Sequence, residues 1–363
     1  MRPLYPYRTA DDAIADGVPG TRSNKTMRNG DRNQSQSSLS ATQNTQNDSL
    51  YVNVAPSYVR PYVIPHYASA QGVTIGPQYY RFYVTGPSSG YAFTVLGTSA
   101  RKSSELGVLA HHHQQHFENF FNLKGRFQLF AEPKGSGEQQ SRTLTQHDFG
   151  TVTRNTTHTF KILDPDTEIG GFIVPGGFED LFLQALGGTN TTTENHTPYI
   201  PSVSSDAAAG PNASQLTALQ SYDVYAGTDF VAAVNSTIYL NSQYGYQIVQ
   251  PLVTPTQAQD MNYILSTITN GKQATNVTTP AWNLPGAAAF QVLEGQLSVQ
   301  IEGYPTAQLI TGDVVFVPGN VTYRYWSEVA FTKTAYISAG FEGIDQWLIK
   351  GGREWAYVIF PAA

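Results

Sequence analysis

From Leu50 onward the chain is written in short runs of aromatic and β-branched residues separated by Pro, Gly and Ser, among them YVRPYVIPHY, YYRFYVTG and YAFTVLG. Runs of that length with that punctuation read as strands. With 40% hydrophobic and 12% aromatic residues in 363, there is apolar surface enough for real cores, and the profile suits sandwiches and barrels rather than helical bundles. The expected fold class is therefore all-β. Residues 1–48 differ: they end in TRSNKTMRNGDRNQSQSSLSATQNTQNDS, which has too few large apolar groups to offset its ordering entropy, and they are expected to form a disordered polar tail. Residues 49–196 suit one closed β-barrel, and 223–363 form a second β-rich half. Between them, the small residues and prolines of 197–222 read as a linker.

Composition excludes several functions. A net charge of −6, thinly spread, offers no basic surface to nucleic acid, and no apolar run is long enough to span a bilayer. There is no cysteine, so there are no disulfides and no thiol nucleophile. Ten N-x-S/T sequons point to a secreted, glycosylated protein, although no signal peptide is visible in MRPLYPYRTADDAIADGVPG.

The chemistry concentrates in GVLAHHHQQHFENFFNLKGRFQLF, Gly107 to Phe130, where His111, His112, His113 and His116 fall within six positions. In an extended segment alternate side chains share a face, so His111 and His113 point together and His112 points away. Glu118 has the wrong parity to join them on an unbroken strand, so a bend through Gln114 to His116 has to re-aim it. Lys124-Gly125 reverses the chain, with RFQLF as the next strand. His158, in the strand-like NTTHTFKIL, supplies a third imidazole. Three histidines and one carboxylate suit a first-row transition metal. His112 and His116 are expected outside the ligand set, and His147 is expected to be solvated in its turn.

The second half repeats the architecture without the chemistry. GDVVFVPGNVTY parallels HDFGTVTRNTTH, so that Tyr323 falls where His158 falls. No histidine follows His196, and WNLPGAAAFQVLEG has alanines where ligands would stand. Trp282, Trp326, Trp347 and Trp355 all lie in this half and are expected in its core or an interface.

The spacing of Gly107, His111, His113, Glu118 and Gly125 resembles the first cupin motif, with a shorter lead from its glycine. G-D-x4-P-G in the second half resembles the second. LGVLAHHHQQHFENFF, RNTTHTFKILDPDTE, VPGGFEDLF, HTPYIP and YLNSQYGYQIV are similar to the fungal quercetin 2,3-dioxygenase family of bicupins, roughly from Leu50 to the C-terminus. This resemblance implies two cupin barrels, double-stranded β-helices of the jelly-roll kind, in one chain. It implies Cu(2+) held by His111, His113 and His158, with Glu118 as occasional ligand and catalytic base; related cupins use Fe, Mn, Ni or Co with the same ligands. It further implies a flavonol cavity beside the metal, to which Phe120 and Phe160 match, with Tyr80 near the ligands. Ile169 stands where the family commonly has a pocket methionine, and His147 and Thr153 replace a glycine and a proline.

The activity so implied is opening of the flavonol heterocycle with O2, releasing carbon monoxide and a depside. Apolar surroundings are expected to raise the pKa of Glu118 toward working pH. Flavonol and O2 are the expected partners, with a homodimer as an allowed assembly. An oxalate-type cupin enzyme acting on a small acid is the alternative, as is a non-enzymatic bicupin; the aromatic neighbours argue against the first and the surviving front-barrel ligands against the second.

Overall fold

Two sheet systems face one another. The computed structural model describes residues 49–66, 71–75, 78–102, 108, 110–133, 137, 140–182, 189–192, 224–225 and 237–361. The expected tail over 1–48 and linker over 197–222 lie outside them, as does Gly107. In the front barrel one eight-stranded sheet runs, neighbour to neighbour, Thr189–Thr192, Gln71–Ile75, Gln78–Val84, Thr94–Ala100, Thr167–Val174, Phe117–Lys124, Phe149–Val152 and Val224–Tyr225. Opposite it stand Gln140–Leu144, Phe127–Pro133 and Thr156–Ile162. The rear barrel pairs a second eight-stranded sheet with Trp282–Asn283, Thr322–Ser327, Gln296–Ile301 and Ala307–Ile310. Among the described residues no helix is long and apolar enough to cross a membrane.

Period-two geometry explains why the central strands are buried on both faces. Gln78–Val84, Thr94–Ala100 and Thr167–Val174 are buried at every position. One set of side chains points into its own barrel; the other meets the opposite barrel. Along Phe117–Lys124, Phe120 joins the front-barrel interior with Phe127, Leu129, Phe160 and Ile169. Phe117 and Phe121 instead join a core shared with Tyr263, Leu265, Phe316 and Ile337 of the rear barrel. Each such buried phenylalanine contributes roughly 1.5–3 kcal/mol.

The chain also exchanges strands between the halves. Tyr62–Ile64, ahead of the front barrel, pairs with Val314–Val317 of the rear sheet, while Val224–Tyr225 pairs with Phe149–Val152 of the front one. The Lys124-Gly125 turn is a corner rather than a hairpin: Phe117–Lys124 pairs with Phe149–Val152 and Thr167–Val174, whereas Phe127–Pro133 belongs to the opposing sheet. Gly125 takes φ 68°, and a Cβ there would lie 2.5 Å from the Asp166 carbonyl oxygen. Only glycine fits.

His147 is not the solvated turn residue expected. Its side chain is 15% exposed, its ring lies 6.0 Å from that of Phe121, and its Nδ1 is 3.3 Å from Glu294 Oε1 of the rear barrel. Its backbone sits at φ 69°, where the rear barrel has Gly312 at φ 94°. Burial, and then Lys333, push its pKa down to about 4; the half-exposed Glu294 is too well solvated to reverse this.

Candidate metal centre

Four side chains from three segments converge inside the front barrel. His111 forms an isolated antiparallel bridge with His158: the His111 amide donates to the His158 carbonyl and the His158 amide to that of His111, at 3.1 and 2.8 Å. The chain stays extended to His113, bends at Gln114 and Gln115, and starts a strand at Phe117. That bend is what re-aims Glu118. One ligand atom from each of His111, His113, Glu118 and His158 then lies within 4.8 Å of the others, the one such cluster found among the described residues. His111 and His158 stand 4.4 Å apart between ring centroids, and His111 and His113 4.9 Å. His112 is exposed, and His116 is half-buried beside His113, 6.2 Å between rings.

The hydrogen bonding favours a cation here. His158 Nδ1 donates to the Thr156 carbonyl at 2.9 Å, since a carbonyl only accepts. In a neutral ring Nε2 is then a bare lone pair, yet it faces Glu118 Oε2 at 2.7 Å. Two acceptors at that distance need a proton or a metal ion between them. His113 Nε2 is buried 3.3 Å from the same oxygen without the alignment of a hydrogen bond, and has no other partner. Three nitrogens and a carboxylate oxygen, one nitrogen orphaned, are a donor set that fits a transition-metal ion.

The expected rise in the Glu118 pKa is not what the surroundings produce. Burial does push it up, the side chain being 12% exposed, but the imidazoles of His113 at 3.3 Å and His158 at 2.7 Å together outweigh burial and hold the carboxyl well below its usual range. Apolar neighbours alone would raise it; the two imidazoles reverse the direction.

Around the cluster the walls are aromatic. Phe120 lies 6.0 Å from the His158 ring and 6.2 Å from Phe160, with Ile169 in the same cluster. Tyr80 belongs to a neighbouring group with Phe178 and Phe182; its hydroxyl donates to Gln78 Oε1 at 2.5 Å, and burial, then Glu118, raise its pKa. Phe178 was not legible as a site residue: its ring is 4.8 Å from His113 and 5.3 Å from His116, forming a wall beside the ligands. Its only signal was an aromatic directly after the VPGG turn.

Register shows what the rear barrel holds instead. Glu118 pairs with Val152 and Ala288 with Val317, so an alanine occupies the carboxylate's place. His111 bridges His158, and Trp282 pairs with Tyr323. Indole and phenol thus stand at two imidazole positions.

Two cupin barrels in one chain, the front one bearing a three-histidine, one-carboxylate cluster, define a bicupin metalloprotein. No family model matches the chain. Its sequence is 52% identical over 348 residues, 86% of this chain and 99% of the relative, to quercetin 2,3-dioxygenase of Aspergillus japonicus. Among solved structures it superposes on an oxalate decarboxylase of Lactobacillus farciminis (TM-score 0.50, 11% identity, 79% of this chain and 88% of that one). It also superposes on procruciferin, an 11S globulin of Brassica napus (TM-score 0.51, 9% identity, 78% and 84%); at such identities the likeness is one of fold. The chain belongs to the quercetin 2,3-dioxygenase family and is an oxidoreductase of the dioxygenase type.

Proposed function

We propose that this protein opens the heterocycle of flavonols such as quercetin with O2, using a copper ion held by His111, His113, His158 and Glu118. The observation that carries the proposal is the half-buried to buried four-residue cluster beside the Phe120, Phe160 and Ile169 wall, in a chain half identical to a quercetin 2,3-dioxygenase over nearly the whole of that relative. Imidazole-rich sites with one carboxylate suit Cu(II), which binds tightly in the divalent series; iron, manganese, nickel or cobalt accept the same donors, and elemental analysis decides among them. Bound there, the ion would supply Lewis-acidic and redox chemistry.

The residues of the chain do the rest. Glu118, the proposed catalytic base, accepts the proton of the flavonol 3-hydroxyl on a carboxylate oxygen. Held in the ionised form, the carboxylate is ready to accept that proton. Phe120 and Phe160 hold a flat ring system and exclude water, Ile169 shapes the same wall, and Tyr80 borders Glu118. In the overall reaction C3 leaves as carbon monoxide as its bonds to C2 and C4 break, and both atoms of O2 end in the depside ester. The sequons support secretion as part of this reading, since Asn276 and Asn320 are exposed and open to glycosylation. The test is to incubate metal-loaded protein with quercetin, following loss of its near-visible absorption together with carbon monoxide release. Unchanged quercetin with one ion bound per chain would overturn the proposal.

A further inference from the structure

Residues 153–156 form one turn that holds two of the ligand histidines. The Asn155 amide donates to the His113 carbonyl at 2.7 Å, and the Thr156 carbonyl accepts from His158 Nδ1 at 2.9 Å. Any shift of this turn therefore moves both imidazoles relative to Glu118. The rear barrel repeats the turn. Asn155 and Asn320 both sit at φ 61°, three residues before His158 and Tyr323. The Asn320 amide donates to the Leu284 carbonyl at 2.6 Å, and Leu284, two residues past Trp282, stands where His113 stands.

The two turns are made firm in different ways. In the rear, Pro318 fixes φ, and Gly319 packs so closely that a Cβ would lie 2.1 Å from the Pro285 carbonyl oxygen. At those positions the front barrel has Thr153 and Arg154 and so lacks both devices. Thr153 keeps a hydroxyl contact of 3.2 Å with Thr156. Arg154 reaches outward: its guanidinium lies 5.8 Å from the ring centroid of Phe117, the neighbour of Glu118, and its Nη2 donates to Asp260 Oδ1 of the rear barrel at 2.5 Å. Asp260 is anchored on both sides, since Met261 packs on the core shared by the barrels and the Asn262 carbonyl accepts from the Gly340 amide at 2.6 Å. The pair lines an open cleft beside Gln114 and Gln115, the bend between the ligands.

We infer that the Arg154–Asp260 pair is a positioning device, through which the rear barrel holds the turn bearing on His113 and His158 in place for the ion. With side chains 32% and 65% exposed, the pair adds little to global stability, so its loss should loosen the site without unfolding the chain. Among the described residues Arg154 is the one front-barrel side chain that Asp260 bonds, so a change at Asp260 reaches the centre through Arg154. This role rests on the cluster being a metal site, which the electron paramagnetic resonance spectrum of Cu(II)-loaded wild type checks separately. Asp260→Asn and Arg154→Ala should displace that spectrum alike and bind Cu(II) about three- to tenfold more weakly in competition with a chelator, with urea midpoints unchanged. The double variant should be no worse than either single one, since both break one link. The exposed Arg126–Asp164 pair of the same barrel is the control, and Arg126→Ala should leave the spectrum as it is. A wild-type spectrum in Asp260→Asn, effects that add in the double variant, a spectral change that comes only with a lowered urea midpoint, or an equal change in Arg126→Ala would overturn the positioning role. A wild type with no bound-copper spectrum would overturn the metal reading itself, and this role with it.

Discussion

His147 makes the stability of the barrel–barrel contact depend on pH in a calculable way. Its pKa is pushed from an ordinary 6.5 down to about 4, chiefly by burial. Because the folded-state value is depressed, the fold prefers the neutral ring. As pH falls below about 6.5 the unfolded chain takes up the proton first, so stability is lost from there down to about 4 and the loss is complete below that. A gap of about 2.5 units at about 1.4 kcal/mol each gives roughly 3 kcal/mol by pH 4, an upper figure because the Glu294 carboxylate at 3.3 Å welcomes the proton. Replacing His147 with Asn removes the titration while keeping a residue that tolerates φ 69°. Urea unfolding of wild type and His147→Asn at pH 7.5 and pH 4, followed by tryptophan fluorescence, isolates the effect, since the carboxylates common to both proteins cancel in the difference. The wild type should lose about 2–3 kcal/mol more than the variant between the two pH values. Equal losses would refute the reasoning and mean that His147 takes up its proton in the fold as readily as in the open chain.

Other outcomes follow from the centre and the turns. Glu118→Gln keeps a side-chain oxygen for the ion but loses the base, so it should lower turnover about 10²- to 10⁴-fold while metal content, measured by elemental analysis, stays near that of the wild type; parallel loss of both would trace the lost rate to the lost ion and overturn the base role. Chelator-treated protein should lose turnover and regain it with a first-row divalent metal, read as carbon monoxide release. Gly295→Ala, at φ 77° with its Cβ 2.2 Å from the Phe331 carbonyl oxygen, should destabilise by more than about 2 kcal/mol in thermal unfolding. Gly303→Ala, at φ 85° with nothing within 4 Å, should lose only the about 1–2 kcal/mol of the left-handed backbone.

Much of the front barrel was legible because its signals are local. Parity along HHHQQHFE required a bend, and the chain bends at Gln114 and Gln115 to bring Glu118 to the histidines. Alternation in the rear half put an alanine at the carboxylate's place, and Ala288 stands there. What was not legible depends on neighbours remote in sequence. Alternation says that Tyr62–Ile64 is a strand without saying that its partner lies in the other barrel. A turn containing His147 looks solvated until Glu294 and Phe121 are placed beside it. The Glu118 environment reads as apolar along its own strand, and only the convergence of His113 and His158 reverses the direction of its shift.

The exchange of Tyr62–Ile64 onto Val314–Val317 bears on how the chain acquires its shape. A segment made early on the ribosome waits for its hydrogen-bonding neighbours until nearly the whole polypeptide has emerged, so the rear sheet gains that strand only at the close of synthesis. Cutting the gene between the barrels would leave each product with an unmatched edge, and the two halves are better regarded as one folding unit than as a catalyst fused to a spare part.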